Sequence, residues 1–299
     1  MTDFLDRPAV HSPLTVVSPA SALAVTTAER QTIVEFEHVS FAFDDHVVLE
    51  DISFSVPKGA MRILLGASGA GKSVLLKLLL GLLRPNSGKI FVNGQRIDNL
   101  PERDLLHVRA DIGMLFQESA LFDSLTVGEN VGYRLSEEMH VPANQVRRRV
   151  EEVLGFVGLA DYADRLPAAL SGGQRRRVAI ARAIAAKPSL LLFDDPTTGL
   201  EPIIATTVDD EIVKLRDLER VTSILVTHQI RDAFYIATHE AVRANDQVQI
   251  KSIREPGEIS AEFMVLHERH IEFEGTAREL LASQDAYLRR FLFMTLPPW

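Results

Sequence analysis

The chain has 299 residues, 46% of them hydrophobic and 24% charged, enough for one large domain or two small ones around a sizeable core. A formal net charge of −9 argues against a nucleic-acid partner, which calls for a basic face. With no cysteine, disulfides and thiolate metal sites are excluded, and a reducing cytoplasm fits.

The opening "MTDFLDRPAVHSPLTVVSPASALAVTT" has acidic residues where a signal peptide needs basic ones, and prolines break its apolar part. Residues 1–31 are therefore expected to be a poorly ordered tail. "TIVEFEHVSFAF" (32–43) alternates apolar and polar residues as a strand does, and "MRILLG" (61–66) is a short buried strand running into glycines. The most apolar run, "VLLKLLLGLL" (74–83), is ten residues long and contains Lys77, against the ~20 that a membrane-spanning helix needs. "KIFVNGQRI" (89–97) carries an Asn93-Gly94 hairpin turn. From about 103 to 186 the pattern is helical, as in the amphipathic "ANQVRRRVEEVLGFV". Two more buried strands, "SLLLFD" (189–194) and "TSILVTH" (222–228), are each followed by a helix-like pattern. Such alternation predicts an α/β fold with a mainly parallel sheet covered on both faces and a largely helical insertion.

"GASGAGKS", residues 66–73, fits G-x-x-x-x-G-K-[ST] between a strand and a helix. Each residue type has a task in that pattern. The stretch Gly66, Ala67, Ser68, Gly69, Ala70 and Gly71 lets backbone N–H groups close around phosphate oxygens. Lys72 brings a cation to the β- and γ-phosphates, and Ser73 offers a hydroxyl to Mg²⁺. A helix N-terminus then points its positive end at the anion. Kinases, GTPases and transport ATPases all use such a loop, so it predicts nucleotide binding and no more.

"LSGGQRRRVAIARAIA" begins at Leu170. Ser171 with Gln174 three residues on reads as a capping box opening an Arg-rich helix. The paired Gly172 and Gly173 are not needed for a cap and suit close approach to a phosphate. Together with the upstream phosphate loop, this string resembles the signature of ATP-binding-cassette (ABC) ATPases over roughly residues 33–235. The resemblance implies a P-loop NTPase cassette at 32–240, with a helical subdomain at about 118–186 and an N-terminal antiparallel β part. A C-terminal extension with a hairpin and closing helices would fill 241–299.

It also implies roles. Gln117 in "MLFQESALF" matches the glutamine that reaches Mg²⁺ and reports to the transmembrane partner. Asp194, ending "LLLFD", would hold Mg²⁺ through water. Glu201 stands at the acid position of the D-loop, His228 matches the switch histidine at the γ-phosphate, and Phe43 sits where an aromatic stacks on adenine. Two cassettes would pair head to tail, with ATP between the P-loop of one and Ser171–Gln174 of the other. One cassette per chain makes a homodimer the simplest arrangement.

In the family the residue after the Mg²⁺-holding aspartate is usually Glu; here it is Asp195, one methylene shorter. Three readings stay open: Asp195 positions the attacking water at a lower rate, hydrolysis is strongly impaired, or Glu201 takes over part of the role. "MLFQESALFDSLTVGENV" and "PTTGLEPI" are similar to the ATPases of Mce/Mla-type systems, which move phospholipid or other hydrophobic cargo. That likeness implies an integral permease, a periplasmic Mce-domain lipid carrier and a peripheral place on the cytoplasmic face of the inner membrane. Importers of amino acids or osmoprotectants and generic exporters share much of this vocabulary. A soluble ABC ATPase acting on DNA or ribosomes usually carries two cassettes or a long coiled coil, and this chain has neither. A polar stretch is expected at about 243–260, and His267 and His270 in "HERH" read as solvated turn residues.

Overall fold

The computed structural model describes residues 31–244, 247–253 and 261–295. The tail expected at 1–31 falls outside them except for its last residue. Strands β1 (Thr32–Phe43) and β2 (His46–Pro57) form a long antiparallel hairpin. β3 (Met61–Leu65) is buried at every position and leads through a loop into helix α1 (Lys72–Leu79). β4 (Ser87–Val92) and β5 (Gln95–Arg96) meet at Asn93 and Gly94 with φ of 50° and 76°, the positive values a two-residue type I′ turn demands. α2 (Glu102–Arg109) and β6 (Ile112–Leu115) precede the helical insertion of α3 (Val127–Glu137), α4 (Ala143–Phe156) and α5 (Gly172–Ala185). Then come β7 (Leu190–Asp194), α6 (Pro202–Leu218), β8 (Thr222–Thr227) and α7 (Ile230–Thr238). The described chain closes with β9 (His239–Ala244), β10 (Gln247–Ser252), β11 (Glu262–His267), β12 (His270–Thr276), α8 (Ala277–Ala282) and α9 (Ala286–Thr295).

A six-stranded sheet in the order β12-β11-β3-β8-β7-β6 forms the centre; all its neighbours are parallel except the β12 edge. A separate antiparallel sheet runs β2-β1-β4-β5. The parallel strands are apolar on both faces because both faces are covered. Ile63, Leu65, Leu191 and Phe193 pack with α5, α6 and α7, whereas Leu64, Leu190 and Leu192 pack against α1 and the antiparallel sheet. The expected α/β cassette, with parallel core, antiparallel part and helical subdomain, is thus present.

Register sets up the site. Leu65 pairs with Thr227, and Asp194 pairs with Val226, so β3, β7 and β8 end side by side. Their next residues, Gly66, Asp195 and His228, emerge at one edge, the carboxyl end where open parallel sheets bind ligands.

Local expectations also needed correction. The stretch read as helical from about 103 to 186 contains β6, where Ile112, Gly113 and Leu115 are buried at the sheet edge. Four residues, three of them buried, carry no period that separates strand from helix. The stretch read as polar at 243–260 is mainly exposed where it is described, and it contains the whole of β10, which forms a hairpin with β9 and pairs Ile250 with Ala241; residues 245–246 and 254–260 lie outside the description. His267 is not a solvated turn residue: its ring stacks on Tyr287 of α9 with centroids 3.3 Å apart. The apolar C-terminal segment docks on the core through Leu288 and Leu292. Among the described residues, no helix is long and apolar enough to cross a membrane.

Candidate functional site

Gly66 to Gly71 form the turn between β3 and α1. Gly71 has φ 105°, and a Cβ there would sit 3.0 Å from both Val48 and Leu49 of β2, so the turn needs glycine on two counts. The close approach also seats the β1–β2 hairpin beside the loop. Lys72, only 6% exposed, donates from Nζ to the carbonyl oxygens of Gly66 and Ala67, each at 2.9 Å. Burial lowers its pKa, while the charges of Asp195 and Asp194 raise it. The backbone N–H groups at the start of α1 have no acceptor within the helix and face the same loop. Phe43, at the tip of β1, is 48% exposed and held edge-on by Phe41 at 4.8 Å.

Ser73 Oγ donates to Asp194 Oδ1 at 3.4 Å. Burial raises the Asp194 carboxyl first and the neighbouring Asp195 charge raises it further, against the pull of Ser73, Lys72 and Lys77. An acid held there by burial and a like charge, next to a hydroxyl, is a hard oxygen pair suited to Mg²⁺.

Asp195 has φ 45°, and its N–H donates to Val226 O at 2.8 Å, which fixes the chain across β8. Asp195 Oδ1 accepts from the His228 N–H at 3.1 Å and lies 2.9 Å from His228 Nδ1. The structure thus brings the two expected catalytic side chains into direct contact. Glu201, by contrast, is the exposed N-cap of α6 and makes no side-chain cap bond.

Ser171 and Gln174 are tied into the expected capping box: Ser171 Oγ accepts from the Gln174 N–H at 3.3 Å, and Gln174 Oε1 accepts from the Ser171 N–H at 2.9 Å. Gly173 has a packing reason that the sequence reading lacked. A Cβ there would come within 2.3 Å of Ile204 Cγ2 on α6, and one on Gly172 within 3.2 Å of Leu200. The signature is therefore pressed against the segment that follows Asp195.

Sequence reasoning missed Arg176. Its buried guanidinium donates to Phe116 O at 2.8 Å, to Gln117 O, and to Thr198 O at 3.2 Å. One side chain on α5 thereby fastens the Gln117 loop to the loop after Asp195, while the Gln117 side chain stays exposed. The run "RRR" at 175–177 gives no sign of which arginine turns inward, because an all-charged run reads equally well as a solvated face.

Residues 49–198 match the ABC transporter family. The chain is 36% identical over 262 residues to the intermembrane phospholipid transport system ATP-binding protein MlaF of Haemophilus influenzae, covering 88% of this chain and 90% of that one. It is 37% identical to the Fe(3+) ions import ATP-binding protein FbpC of Photorhabdus laumondii, covering 76% of this chain and 62% of that protein. The methionine import ATP-binding protein MetN of Carboxydothermus hydrogenoformans is 42% identical, with 67% and 59% covered. Among solved structures, CbiO1 of Clostridium perfringens, part of an ABC transporter complex, superposes with a TM-score of 0.71 at 26% identity, covering 89% of this chain and 96% of that one. A dimeric post-hydrolysis state of the cassette MJ0796 bound to ADP and Pi gives 0.65 at 26% identity, covering 82% and 98%.

Proposed function

The chain belongs to the ABC transporter family as an ATP-binding, ATP-hydrolysing subunit, and from that premise we propose that it drives an integral permease for phospholipid or another hydrophobic cargo. The observation that carries the cargo is the extent of likeness to MlaF, which spans 90% of that protein, whereas the iron and methionine importer ATPases are spanned over only 62% and 59%. The higher identity to MetN, 42% over a shorter stretch, favours the second reading, an importer of small polar solutes.

In this reading the 66–73 loop and Lys72 hold the β- and γ-phosphates, and Phe43 stacks on adenine. Two copies pair so that Ser171, Gly172, Gly173 and Gln174 of one close over the ATP of the other, with Glu201 near the seam. Ser73, Gln117 and Asp194 hold Mg²⁺, which supplies positive charge to the phosphates when bound. Asp195 orients the attacking water, and His228 both fixes Asp195 and faces the γ-phosphate. The dimer works as a peripheral subunit on the cytoplasmic face of the inner membrane, and the permease connects it to a periplasmic Mce-domain carrier.

The test is to isolate the tagged full chain from detergent-solubilised membranes of its source cells and measure ATP turnover of the complex. A polytopic permease with an Mce-domain protein, and turnover raised by phospholipid, is the expected result. Recovery with a solute-binding protein, and stimulation by a small polar solute instead, overturns the lipid reading in favour of the importer.

A further inference from the structure

Beneath the Asp195–His228 contact lies a buried polar cluster that no motif accounts for. Asp232, one turn into α7, is 4% exposed, and Thr197, two residues after Asp195, is 1% exposed. Thr197 Oγ1 donates to Asp232 Oδ2 at 2.5 Å. A carboxylate only accepts, so the amide of Gln229, the residue after His228, is assigned with its nitrogen and not its oxygen facing Asp232. With its Nε2 towards Asp232 Oδ2 at 3.2 Å, its Oε1 accepts from the Thr198 N–H at 3.2 Å.

Asp232 is thus the shared acceptor for one side chain from each of the two loops that carry the site. Thr197 belongs to the chain leaving Asp195, and Gln229 to the chain leaving His228. Further bonds close the same loops: Thr198 N–H to Asp195 O at 3.3 Å, and Gln229 N–H to Thr227 Oγ1 at 3.0 Å. A buried carboxylate takes no position without donors, and here both donors come from the segments whose relative placement sets the Asp195 Oδ1 to His228 distance. Asp209 of α6 is close enough to feel the charge of Asp232, and its Oδ1 is buried without a hydrogen-bond partner, so no bond from it to Asp232 stands in for the one from Thr197.

We propose that Asp232 is a positioning residue: through Thr197 and Gln229 it clamps the two loops together so that Asp195 and His228 meet. The inference rests on the reading of Asp195 as the carboxylate that orients water. It assigns chemistry to a residue outside every motif, acting on the rate of hydrolysis and not on nucleotide affinity, because the phosphate loop hangs from β3 and α1.

The experiment compares the full-length wild type with Thr197→Val, Thr197→Ser, Asp232→Asn and, as a control, Asp195→Asn. It reads kcat, KM for ATP, melting temperature and the position of the His228 imidazole signal in the nitrogen NMR spectrum. Thr197→Val removes the hydroxyl at constant shape. It is expected to move the His228 signal and lower kcat about tenfold, an ordinary cost of misplacing a catalytic group, with KM within about twofold of wild type. Thr197→Ser keeps the hydroxyl and is expected to retain the wild-type signal and rate. Asp232→Asn keeps the shape, loses the charged acceptor and carries the expectation of the Val variant if that protein fails to fold. A Val variant with wild-type kcat and an unmoved His228 signal overturns the proposal, as does a Ser variant that falls as far as Val. Retained turnover in Asp195→Asn overturns the reading of Asp195 instead, and the His228 signal then still decides whether the clamp exists.

Discussion

Asp195 sits at φ 45°, a left-handed conformation that aspartate enters several times more readily than most side chains. Its Oδ1 already reaches both His228 donors, at 3.1 and 2.9 Å, so the missing methylene does not leave the acid short of its partner. A glutamate there would carry its carboxylate one CH₂ beyond the position from which Oδ1 meets both His228 donors. Asp195→Asn keeps the backbone conformation and an acceptor for the His228 N–H but loses the charge that orients water. Its kcat is expected to fall at least about 10²-fold with KM for ATP nearly unchanged. Asp195→Glu is expected to bring no gain, with kcat at or below wild type in a steady-state phosphate-release assay. A Glu variant that turns over tenfold faster would make the short acid a brake instead.

Helix α5 carries the signature and meets the start of α6 through a surface with no room to spare. Alanine at a helical glycine ordinarily stabilises by up to ~1 kcal/mol, but at Gly173 the new Cβ would lie 2.3 Å from the branched Cγ2 of Ile204. Overpacking of this kind costs ~1–3 kcal/mol, so Gly173→Ala is expected to lower stability despite its better helix propensity. Gly155 of α4 has nothing within 4 Å of its would-be Cβ, and Gly155→Ala is expected to raise the denaturant midpoint. Equal shifts in urea titrations of the two variants would show that α5 and α6 are not packed as described. The same elements show what the sequence discloses. β3, β7 and β8 were readable because each is a buried β-branched or leucine-rich run with a marked exit: glycines, paired aspartates or a histidine. β6 was not, since "IGML" is too short for periodicity and gains its strand identity only by pairing with β7. The residues expected at the site could be named along the chain, and the structure gathers Lys72, Ser73, Asp194, Asp195 and His228 at one edge of the sheet. What was hidden is how its loops are fastened, by Arg176 from α5 and Asp232 from α7, because those bonds run between segments that no local pattern connects.

At the scale of the whole molecule, the buried acids make stability fall as the solution becomes alkaline. Asp209 is pushed up to about 9 from 3.8, first by burial and then by the charge of Asp232; burial also raises Glu211. An acid whose folded pKa lies above its unfolded value keeps a proton in the native state that the unfolded chain has released. Its native form is therefore favoured least where both states are ionised. The penalty is absent below about pH 4, where both states are protonated. It grows as pH rises towards about 9, at up to ~1.4 kcal/mol per pH unit for one such proton. The net charge of −9 at pH 7 adds self-repulsion in the same direction. Asp209→Asn replaces the protonated acid with a neutral group of its shape, so the folded protein no longer holds that proton. The melting temperature of the variant is expected to decline less between pH 6 and pH 8.5 than that of wild type, and to exceed it at pH 8.5. Parallel curves for the two proteins would mean that Asp209 ionises in the folded state as freely as in the unfolded one, and that the interior beneath the Asp195 loop is wetter than its packing implies.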